Sequence, residues 1–170
     1  MIEVYDDILP TSLLSQAEKN LEGLSWCEFK DIGYYPATLI SMLDCTEPLW
    51  KMISDMIAFK LNISNSEVIW MKVNLTYASP FAPKHSTIHN DFYNEYGKEK
   101  GHLIRSTILY LTESDGDTYF YTDREGTLKQ SIAHKRNRLT CFDGNDWHAA
   151  GYPVEHEKRY VINTIFLLKE

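Results

Sequence analysis

Two stretches decide the fold: residues 68–77, VIWMKVNLTY, and residues 159–168, RYVINTIFLL. Both are rich in the β-branched and aromatic residues that strands favour. Three shorter stretches of the same kind lie between them, at Leu103–Leu111, Thr118–Tyr121 and Arg138–Phe142. Turn residues separate these stretches, and no helical pattern intervenes. The second half of the chain therefore predicts an antiparallel sandwich or jelly roll.

The first 66 residues have a different character. A short alternating segment, Ile2–Tyr5, precedes two predicted helices. Thr11 or Ser12 is expected to cap the first helix. Thr46 is expected to cap the second, with Pro48 in its first turn. One stripe of the second helix is predicted to face the core, and it comprises Leu49, Met52, Ile53, Met56, Ile57 and Leu61.

Length and composition fit one domain. The chain has 170 residues, of which 44% are hydrophobic and 13% aromatic, and this is enough apolar material for a core. We expect an α+β, mainly β, single domain over residues 1–170. Residues 67–170 would form a double-stranded β-helix (jelly-roll) core. Residues 1–66 would supply a strand and the supporting helices that cover one sheet face.

Charge and cysteine content limit the partners and the location. The 17 basic and 24 acidic residues give a net charge of −7, which disfavours nucleic acid and anionic membrane as partners. No apolar run approaches the roughly 18 to 20 residues that span a bilayer. The opening MIEVYDDILP lacks the features of a signal peptide. Cys27, Cys45 and Cys141 are widely spaced, which indicates free thiols in a reducing compartment. We therefore expect a cytoplasmic protein.

A candidate metal site lies at His89-Asn90-Asp91. Residues i and i+2 of an extended segment point to the same face, so His89 and Asp91 can reach one ion. His148 follows a predicted strand, and a jelly roll can bring it back beside this pair. Two histidines and one carboxylate form the facial triad that binds non-haem Fe(II) and leaves coordination positions open. The alternative is three polar side chains that are satisfied within a sheet.

Arg159 begins the last predicted strand. Its planar guanidinium suits a carboxylate, because it donates two parallel hydrogen bonds and keeps its charge. Arg159, Val161 and Asn163 share one face of the strand, so the two polar side chains can point into the barrel. A buried arginine needs an anionic partner. A bound acid is the expected partner, and an ion pair with an acidic side chain such as Glu155 or Glu157 is the alternative.

These motifs together resemble the 2-oxoglutarate- and Fe(II)-dependent dioxygenases, specifically their prolyl-4-hydroxylase-like branch. The resemblance runs from about Met71 to Leu168 and keeps the order and spacing of the family's motifs. In chain order the matching segments are Tyr77, His89-Asn90-Asp91, Thr107–Leu111, Asp115–Thr118, Asn137-Arg138-Leu139, Trp147-His148 and Arg159–Thr164. The opening IEVYDDILPTSLLSQ resembles the lead-in strand and helix of such proteins.

The resemblance implies a role for each candidate residue. His89, Asp91 and His148 would ligate Fe(II). Arg159 would bind the far carboxylate of 2-oxoglutarate, with the Tyr110 hydroxyl as a second donor. The near carboxylate and the keto oxygen of 2-oxoglutarate would chelate the iron and leave one position for O₂.

The resemblance also implies the cosubstrate contacts and the reaction. Tyr77 and Asn163 are further candidate contacts to the cosubstrate, and Ile108, Thr118 and Ile165 would keep water out. The enzyme would hydroxylate an unactivated C–H and release succinate and CO₂, with ascorbate as a supporting reductant. The substrate would be a peptidyl proline, another amino-acid side chain or a free metabolite.

Two features depart from the family pattern. Asp115 and Asp117 stand where the turn normally reads glycine and glutamate, which puts the shape of this loop in question. Ala133-His134-Lys135 replaces a segment that contains proline in many relatives.

Several other polar and aromatic residues have two interpretations. Phe92, Tyr93 and Tyr96 lie in the loop 92–102 and are candidates for substrate contact, with a charged loop that makes no contact as the alternative. Trp147 is either a lid over the substrate or a packing residue. Four histidines are expected to face solvent: His85, His102, His134 and His156.

Two other functions suit the same fold. The first is a catalytically silent jelly-roll binding module with a vestigial or zinc-occupied metal site. The second is a metal-dependent isomerase or hydrolase of the cupin type, which would not need Arg159.

Overall fold

The computed structural model describes residues 1–29, 38–80, 82–91 and 102–169. Two helices lie in this part of the chain: α1 (Thr11–Asn20), followed by a 3₁₀ turn (Leu21–Gly23), and α2 (Pro48–Lys60). The strands are β1 (Glu3–Tyr5), β2 (Cys27–Phe29), β3 (Thr38–Met42), β4 (Ser66–Tyr77), β5 (Ile104–Tyr110), β6 (Thr118–Tyr121), β7 (Leu128–Ile132), β8 (Leu139–Asp143), β9 (Trp147–Ala150) and β10 (Lys158–Leu168).

The strands form two antiparallel sheets. The major sheet has the order β1-β8-β5-β10-β4-β3-β2, and the minor sheet has the order β7-β6-β9. The non-sequential neighbours and the antiparallel pairing are those of a jelly roll. The predicted fold class, a mainly β jelly roll with two helices, is confirmed.

The two stretches that decide the fold pair with each other at the centre of the major sheet. Strand β10 runs antiparallel to β4, from Lys158 opposite Tyr77 to Leu168 opposite Ser66. Its other edge pairs with β5, where Val161 lies opposite Tyr110. Both strands thus have paired neighbours on each side, and their high content of β-branched and aromatic residues fits this central position.

Side-chain alternation in these strands builds two separate apolar cores. The side chains of Met71, Val73 and Ile162 point to one face, where they pack with residues of both helices. The side chains of Tyr110 and Val161 point to the opposite face, where they pack with residues of the minor sheet. A shift of register by one residue would exchange the two faces, so the pattern fixes which side of the sheet holds the cavity.

Both helices occur where they are predicted, but their caps differ. α1 begins at Thr11, and the Pro10 carbonyl accepts its first hydrogen bonds, so neither Thr11 nor Ser12 caps it. α2 begins at Pro48, and no side chain caps it. Thr46 instead donates its backbone and side-chain hydrogens to the Asp44 carboxylate, so the prediction that it caps α2 is wrong.

The predicted apolar stripe of α2 is also partly wrong. Ile53 and Ile57 are completely buried, as predicted, but Met52 is 53% exposed. Trp50, which lies outside the predicted stripe, is buried in its place. The helix is therefore rotated toward Trp50, whose large ring buries more apolar surface than methionine does.

The sequence did not predict four of the strands: β2, β3, β7 and β9. Each spans at most five residues, and β7 is almost entirely exposed. Their hydrogen bonds to longer strands define them, and their own composition is weak in β signal. Strands β1, β2 and β3 all join the major sheet, so the first 66 residues contribute strands as well as helices.

Two further features of the described residues concern membrane-spanning helices and the state of the cysteines. Neither helix in these residues is long and apolar enough to cross a membrane. Cys27 is exposed, Cys45 is partly buried and Cys141 is buried, and each is a free thiol.

The packing of α2 predicts a difference between two neighbouring residues. Ile53→Ala should destabilise the protein by about 2–5 kcal/mol, because it removes a completely buried side chain and leaves a cavity. Met52→Ala should change stability by less than about 0.5 kcal/mol, since this residue lies on the exposed face. Urea unfolding of both variants measures the difference, and equal losses would contradict the placement of α2.

Candidate active site

One cavity lies between the inner face of the major sheet and the minor sheet. It has a volume of about 300 Å³, which is at the lower end of the range for small-molecule sites. Three of its lining residues come from alternate positions of β4, and three come from alternate positions of β10. The lining residues are Thr38, Ile40, Lys72, Asn74, Thr76, Ser86, Thr87, His89, Asp91, Ile108, Thr118, His148, Ala150, Tyr152, Arg159, Val161 and Asn163.

The structure brings His89, Asp91 and His148 together at this cavity. His89 and His148 form an isolated antiparallel bridge, with reciprocal backbone hydrogen bonds of 3.0 and 2.8 Å. This bridge holds the two imidazole rings 4.4 Å apart, measured between their centroids. One potential ligand atom from each of the three residues lies within 4.8 Å of the others.

Hydrogen bonds to backbone carbonyls orient both imidazoles. Nδ1 of His89 lies 3.0 Å from the Thr87 carbonyl oxygen, and Nδ1 of His148 lies 3.1 Å from the Asp146 carbonyl oxygen. Because a carbonyl only accepts, each Nδ1 carries a hydrogen, which leaves the Nε2 of a neutral imidazole to present its lone pair. The two Nε2 atoms lie 4.0 and 3.7 Å from the Asp91 carboxylate.

Burial sets the protonation states that a metal ion requires. Burial lowers the pKa of His148 to about 4, so this imidazole is neutral at neutral pH. Burial alone would raise the pKa of the Asp91 carboxyl, but the two adjacent histidines and the Ser106 hydroxyl outweigh it and hold this pKa below its usual value. A neutral imidazole and an ionised carboxylate fit a divalent transition metal.

Arg159 lies deep in the same cavity and is almost completely buried, at 1% exposure. Its Nε donates to the Gly116 carbonyl at 2.7 Å, and its Nη2 donates to the Thr118 hydroxyl at 3.1 Å. Both partners are neutral. Among the described residues, no acidic side chain forms an ion pair with it, Glu155 and Glu157 included, so that alternative interpretation of Arg159 is wrong. The Asp117 carboxylate acts on the guanidinium only at longer range.

Tyr110 lies beside this guanidinium. It is completely buried, its hydroxyl lies 2.7 Å from the Thr118 hydroxyl, and its ring centroid lies 5.7 Å from the Arg159 guanidinium carbon. Burial raises the pKa of Tyr110, so the phenol is protonated and can donate a hydrogen bond.

A glycine makes room for the arginine. A Cβ atom on Gly116 would lie 2.6 Å from Cδ of Arg159 and 2.7 Å from the Gly151 carbonyl oxygen. Any side chain at this position would displace the guanidinium stem or the facing backbone. This explains why the turn retains glycine here although its neighbours differ from the family pattern.

The two aspartates that depart from the family pattern stabilise this turn. The Asp115 carboxylate accepts hydrogen bonds from the backbone N–H groups of Val154, Glu155 and His156. Although partial burial opposes ionisation, these N–H groups lower the pKa of Asp115 to about 2. The Asp117 carboxylate accepts a hydrogen bond from the backbone of His134 at 3.0 Å. Together the two carboxylates fix the turn against the segments on either side of it.

The structure places most, but not all, of the predicted site residues at the cavity. Asn163 lines it, and Tyr110 lies beside Arg159. Tyr77 does not line the cavity, because it alternates with Thr76 on β4 and its ring contacts Lys158 instead. The candidate substrate contacts Phe92, Tyr93 and Tyr96 lie outside the described residues.

The prediction of four solvent-facing histidines is wrong for His134. This residue is 9% exposed, its Nε2 lies 2.7 Å from the Thr112 carbonyl oxygen, and its ring packs edge-on against Tyr110. Burial and the charge of Arg159 lower the pKa of His134 to about 4. His102 and His156 are exposed as predicted, and His85 is partly buried.

Sequence reasoning missed the polar side chains of β4 that line the cavity. Lys72, Asn74 and Thr76 occupy alternate positions of this strand. Their polarity contrasts with Met71, Val73 and Leu75 on the other face. This alternation was the available signal, and it marks a face that points to a polar site.

The fold and the donor set together define a class of protein: a jelly roll that brings two histidines and one carboxylate together as a candidate metal site. The 2OG-Fe(II) oxygenase superfamily matches residues 75–167, which is more than half of the chain. The chain belongs to this superfamily, and the predicted resemblance is confirmed.

Solved structures with the same fold have low sequence identity to this chain. A Pseudomonas putida prolyl-4-hydroxylase is 14% identical, with a TM-score of 0.68 over 99% of this chain and 93% of its own. HygX from Streptomyces hygroscopicus, with nickel and 2-oxoglutarate bound, is 11% identical, with a TM-score of 0.73 over 99% and 83%. A Trichoplax adhaerens prolyl hydroxylase in complex with a hypoxia-inducible-factor peptide is 15% identical, with a TM-score of 0.68 over 98% and 83%. No curated protein matches the chain in sequence.

The site predicts that one divalent transition ion binds through His89, Asp91 and His148. His89→Ala and His148→Ala should each weaken Mn(II) binding by at least about 10-fold, because each removes one of three ligands. Titration calorimetry measures the affinity, and His102→Ala, which changes an exposed histidine, is the matched control. Unchanged affinity in both ligand variants would show that the metal binds elsewhere.

Proposed function

We propose that this protein is an Fe(II)- and 2-oxoglutarate-dependent dioxygenase that hydroxylates an unactivated C–H bond of an amino-acid-type substrate. One observation carries the proposal. A completely buried arginine with only neutral hydrogen-bond partners shares one cavity with a His-Asp-His cluster.

The arginine supports the choice of an acidic cosubstrate. Burial acts against the charged form and lowers the pKa of Arg159, but a guanidinium still keeps its proton at neutral pH. The Asp117 carboxylate favours the charge from a distance but forms no ion pair with the guanidinium. A buried charge whose hydrogen-bond partners are all neutral is costly, so the native protein gains stability when an anion binds to it directly. The Gly116 carbonyl and the Thr118 hydroxyl orient the guanidinium without neutralising it.

The hydroxyl groups beside Arg159 support a carboxylate as that anion. The Thr118 oxygen accepts from the guanidinium, which can only donate. Tyr110 and Thr118 each have one hydroxyl hydrogen, and only one of the two is used in the hydrogen bond between them. Whichever of them donates in the shared bond, the second hydrogen is left for another acceptor. A carboxylate that enters at Arg159 would thus meet a guanidinium and a hydroxyl donor together.

The metal end of the cavity supports the rest of the assignment. His89, Asp91 and His148 would hold Fe(II), and Asn163 would contact the cosubstrate near the metal. When bound, Fe(II) and 2-oxoglutarate would supply the oxidation: O₂ is consumed, succinate and CO₂ are released, and the substrate gains a hydroxyl group. Ile108 and Val161 line the cavity between its polar ends and would limit the access of water.

The comparisons leave the substrate open between peptide and small molecule. The Trichoplax adhaerens neighbour is a prolyl hydroxylase with a peptide bound, and a further HygX structure holds hygromycin B. We propose a peptidyl proline or another amino-acid-type substrate, with O₂ as the oxidant and ascorbate as a supporting reductant. A cupin-type isomerase or hydrolase would not need the buried charge of Arg159.

Variants of Arg159 test the cosubstrate site. Arg159→Ala should weaken 2-oxoglutarate binding by about 2–5 kcal/mol, because it removes one side of a desolvated ion pair. Arg159→Lys keeps the charge but loses the planar fork, so it should recover only part of this loss. Tyr110→Phe should cost about 1.5–3 kcal/mol, because it removes a single donor to a charged acceptor.

The measurement is the 2-oxoglutarate dissociation constant, with Mn(II) in place of iron so that no turnover occurs. Arg136→Ala is the matched control, since Arg136 pairs with Glu18 away from the cavity. Mn(II) affinity without cosubstrate should remain the same in all variants. If Arg159→Ala binds 2-oxoglutarate as well as the parent protein does, the arginine is structural and the proposed function is wrong.

A further inference from the structure

We propose that His134 is a positioning residue of the cosubstrate site, whose ring holds Tyr110 so that the Tyr110 hydroxyl and the Arg159 guanidinium reach the same carboxylate. This inference rests on the proposed function and deepens it, because it assigns a role to a buried residue that the proposed reaction does not use. His134 lies in the segment 133–135, which departs from the family pattern, and it is not among the described residues that line the cavity.

The imidazole of His134 restrains the Tyr110 ring. The two rings pack edge-on, with their centroids 4.6 Å apart and their planes at 70° to each other. Aromatic rings attract each other in this arrangement. The Tyr110 hydroxyl lies at the far end of its ring, 2.7 Å from the Thr118 hydroxyl, so a small tilt of the ring moves the hydroxyl most. The contact with His134 therefore sets where this hydroxyl lies relative to Thr118 and Arg159.

A hydrogen bond fixes the orientation of the imidazole itself. Nε2 of His134 lies 2.7 Å from the Thr112 carbonyl oxygen, and because a carbonyl only accepts, this nitrogen carries a hydrogen. Thr112 lies two residues after Tyr110, which is the last residue of β5. The bond thus ties the imidazole to the same end of the strand that carries the tyrosine. An apolar ring at position 134 would leave the Thr112 carbonyl without this donor.

The backbone of His134 contacts the turn that holds the arginine. Its N–H donates to the Asp117 carboxylate at 3.0 Å. Asp117 lies between Gly116, whose carbonyl accepts from Nε of Arg159, and Thr118, whose hydroxyl accepts from Nη2. One residue therefore contacts both sides of the cosubstrate site, with its ring against Tyr110 and its backbone against the Arg159 turn. This double contact is what coordinates the two donors.

His134 acts through its shape and its hydrogen bond, and not through charge. Burial and the charge of Arg159 lower the pKa of His134 to about 4, so the imidazole is neutral at neutral pH and adds no charge beside the guanidinium. Replacing it with another neutral side chain keeps the electrostatics of the site. A change in 2-oxoglutarate affinity in such a variant therefore reports on the positions of the donors.

Two neutral substitutions separate the ring contact from the hydrogen bond. His134→Gln can still donate to the Thr112 carbonyl but removes the ring, and it should weaken 2-oxoglutarate binding by about 3- to 10-fold. His134→Phe keeps a ring against Tyr110 but leaves the Thr112 carbonyl without a donor. It should bind 2-oxoglutarate within about 2-fold of the parent protein, although it unfolds at a lower urea concentration. The dissociation constants are measured with Mn(II), and His102→Gln, which changes an exposed histidine, is the matched control.

A double-mutant cycle shows whether the effect passes through the Tyr110 hydroxyl. In the Tyr110→Phe protein, His134→Gln should weaken 2-oxoglutarate binding by less than about 2-fold, because no hydroxyl is left to position. A merely structural role of His134 would instead give the same loss of affinity in both backgrounds. His134→Leu, which also removes the ring, should give the same result and replaces His134→Gln if that variant does not fold.

Three results would overturn the assignment. They are parental 2-oxoglutarate affinity in His134→Gln, an equal loss with and without the Tyr110 hydroxyl, and a loss in His134→Phe as large as that in His134→Gln. The second result would make His134 a structural residue only, and the third would show that the ring contact does not position the tyrosine. A parent protein that does not bind 2-oxoglutarate overturns the proposed function itself, which separates the two failures.

Discussion

Burial of the Arg159 guanidinium among neutral partners is the constraint that organises the site. The Gly116 carbonyl and the Thr118 hydroxyl hold the group, and the absence of a side chain at Gly116 makes its position possible. Such a charge costs free energy unless an anion enters. The Asp115 and Asp117 carboxylates hold the adjacent turn in place, so the differences from the family pattern preserve the arginine's surroundings.

The central strand pair carries both stability and function. One face of β4 and β10 packs against the helices, and the other face supplies six lining residues of the cavity. The same backbone hydrogen bonds therefore fix both the hydrophobic core and the positions of the lining residues along the two strands. This coupling favours a preformed cavity, because the lining side chains sit on strands that are paired on both sides.

How far the sequence predicts this protein depends on the length of each element. The long strands and the residues at fixed spacing, His89 and Asp91, are predictable because alternation alone places their side chains. The short strands β7 and β9 are not, since pairing with β6 defines them. Tertiary packing also explains two of the wrong predictions: α2 is rotated to bury Trp50 instead of Met52, and His134 is enclosed beside Tyr110.

Turnover of 2-oxoglutarate in the absence of any substrate tests the central claim most directly. Purified protein with Fe(II), ascorbate and O₂ should convert 2-oxoglutarate slowly to succinate, and an Asp91→Ala variant, which lacks the carboxylate ligand, should not. Succinate formation that depends on Asp91 is the predicted result. Binding of metal and 2-oxoglutarate with no succinate above the level of the Asp91→Ala protein would contradict it, and would instead identify a catalytically silent jelly-roll module.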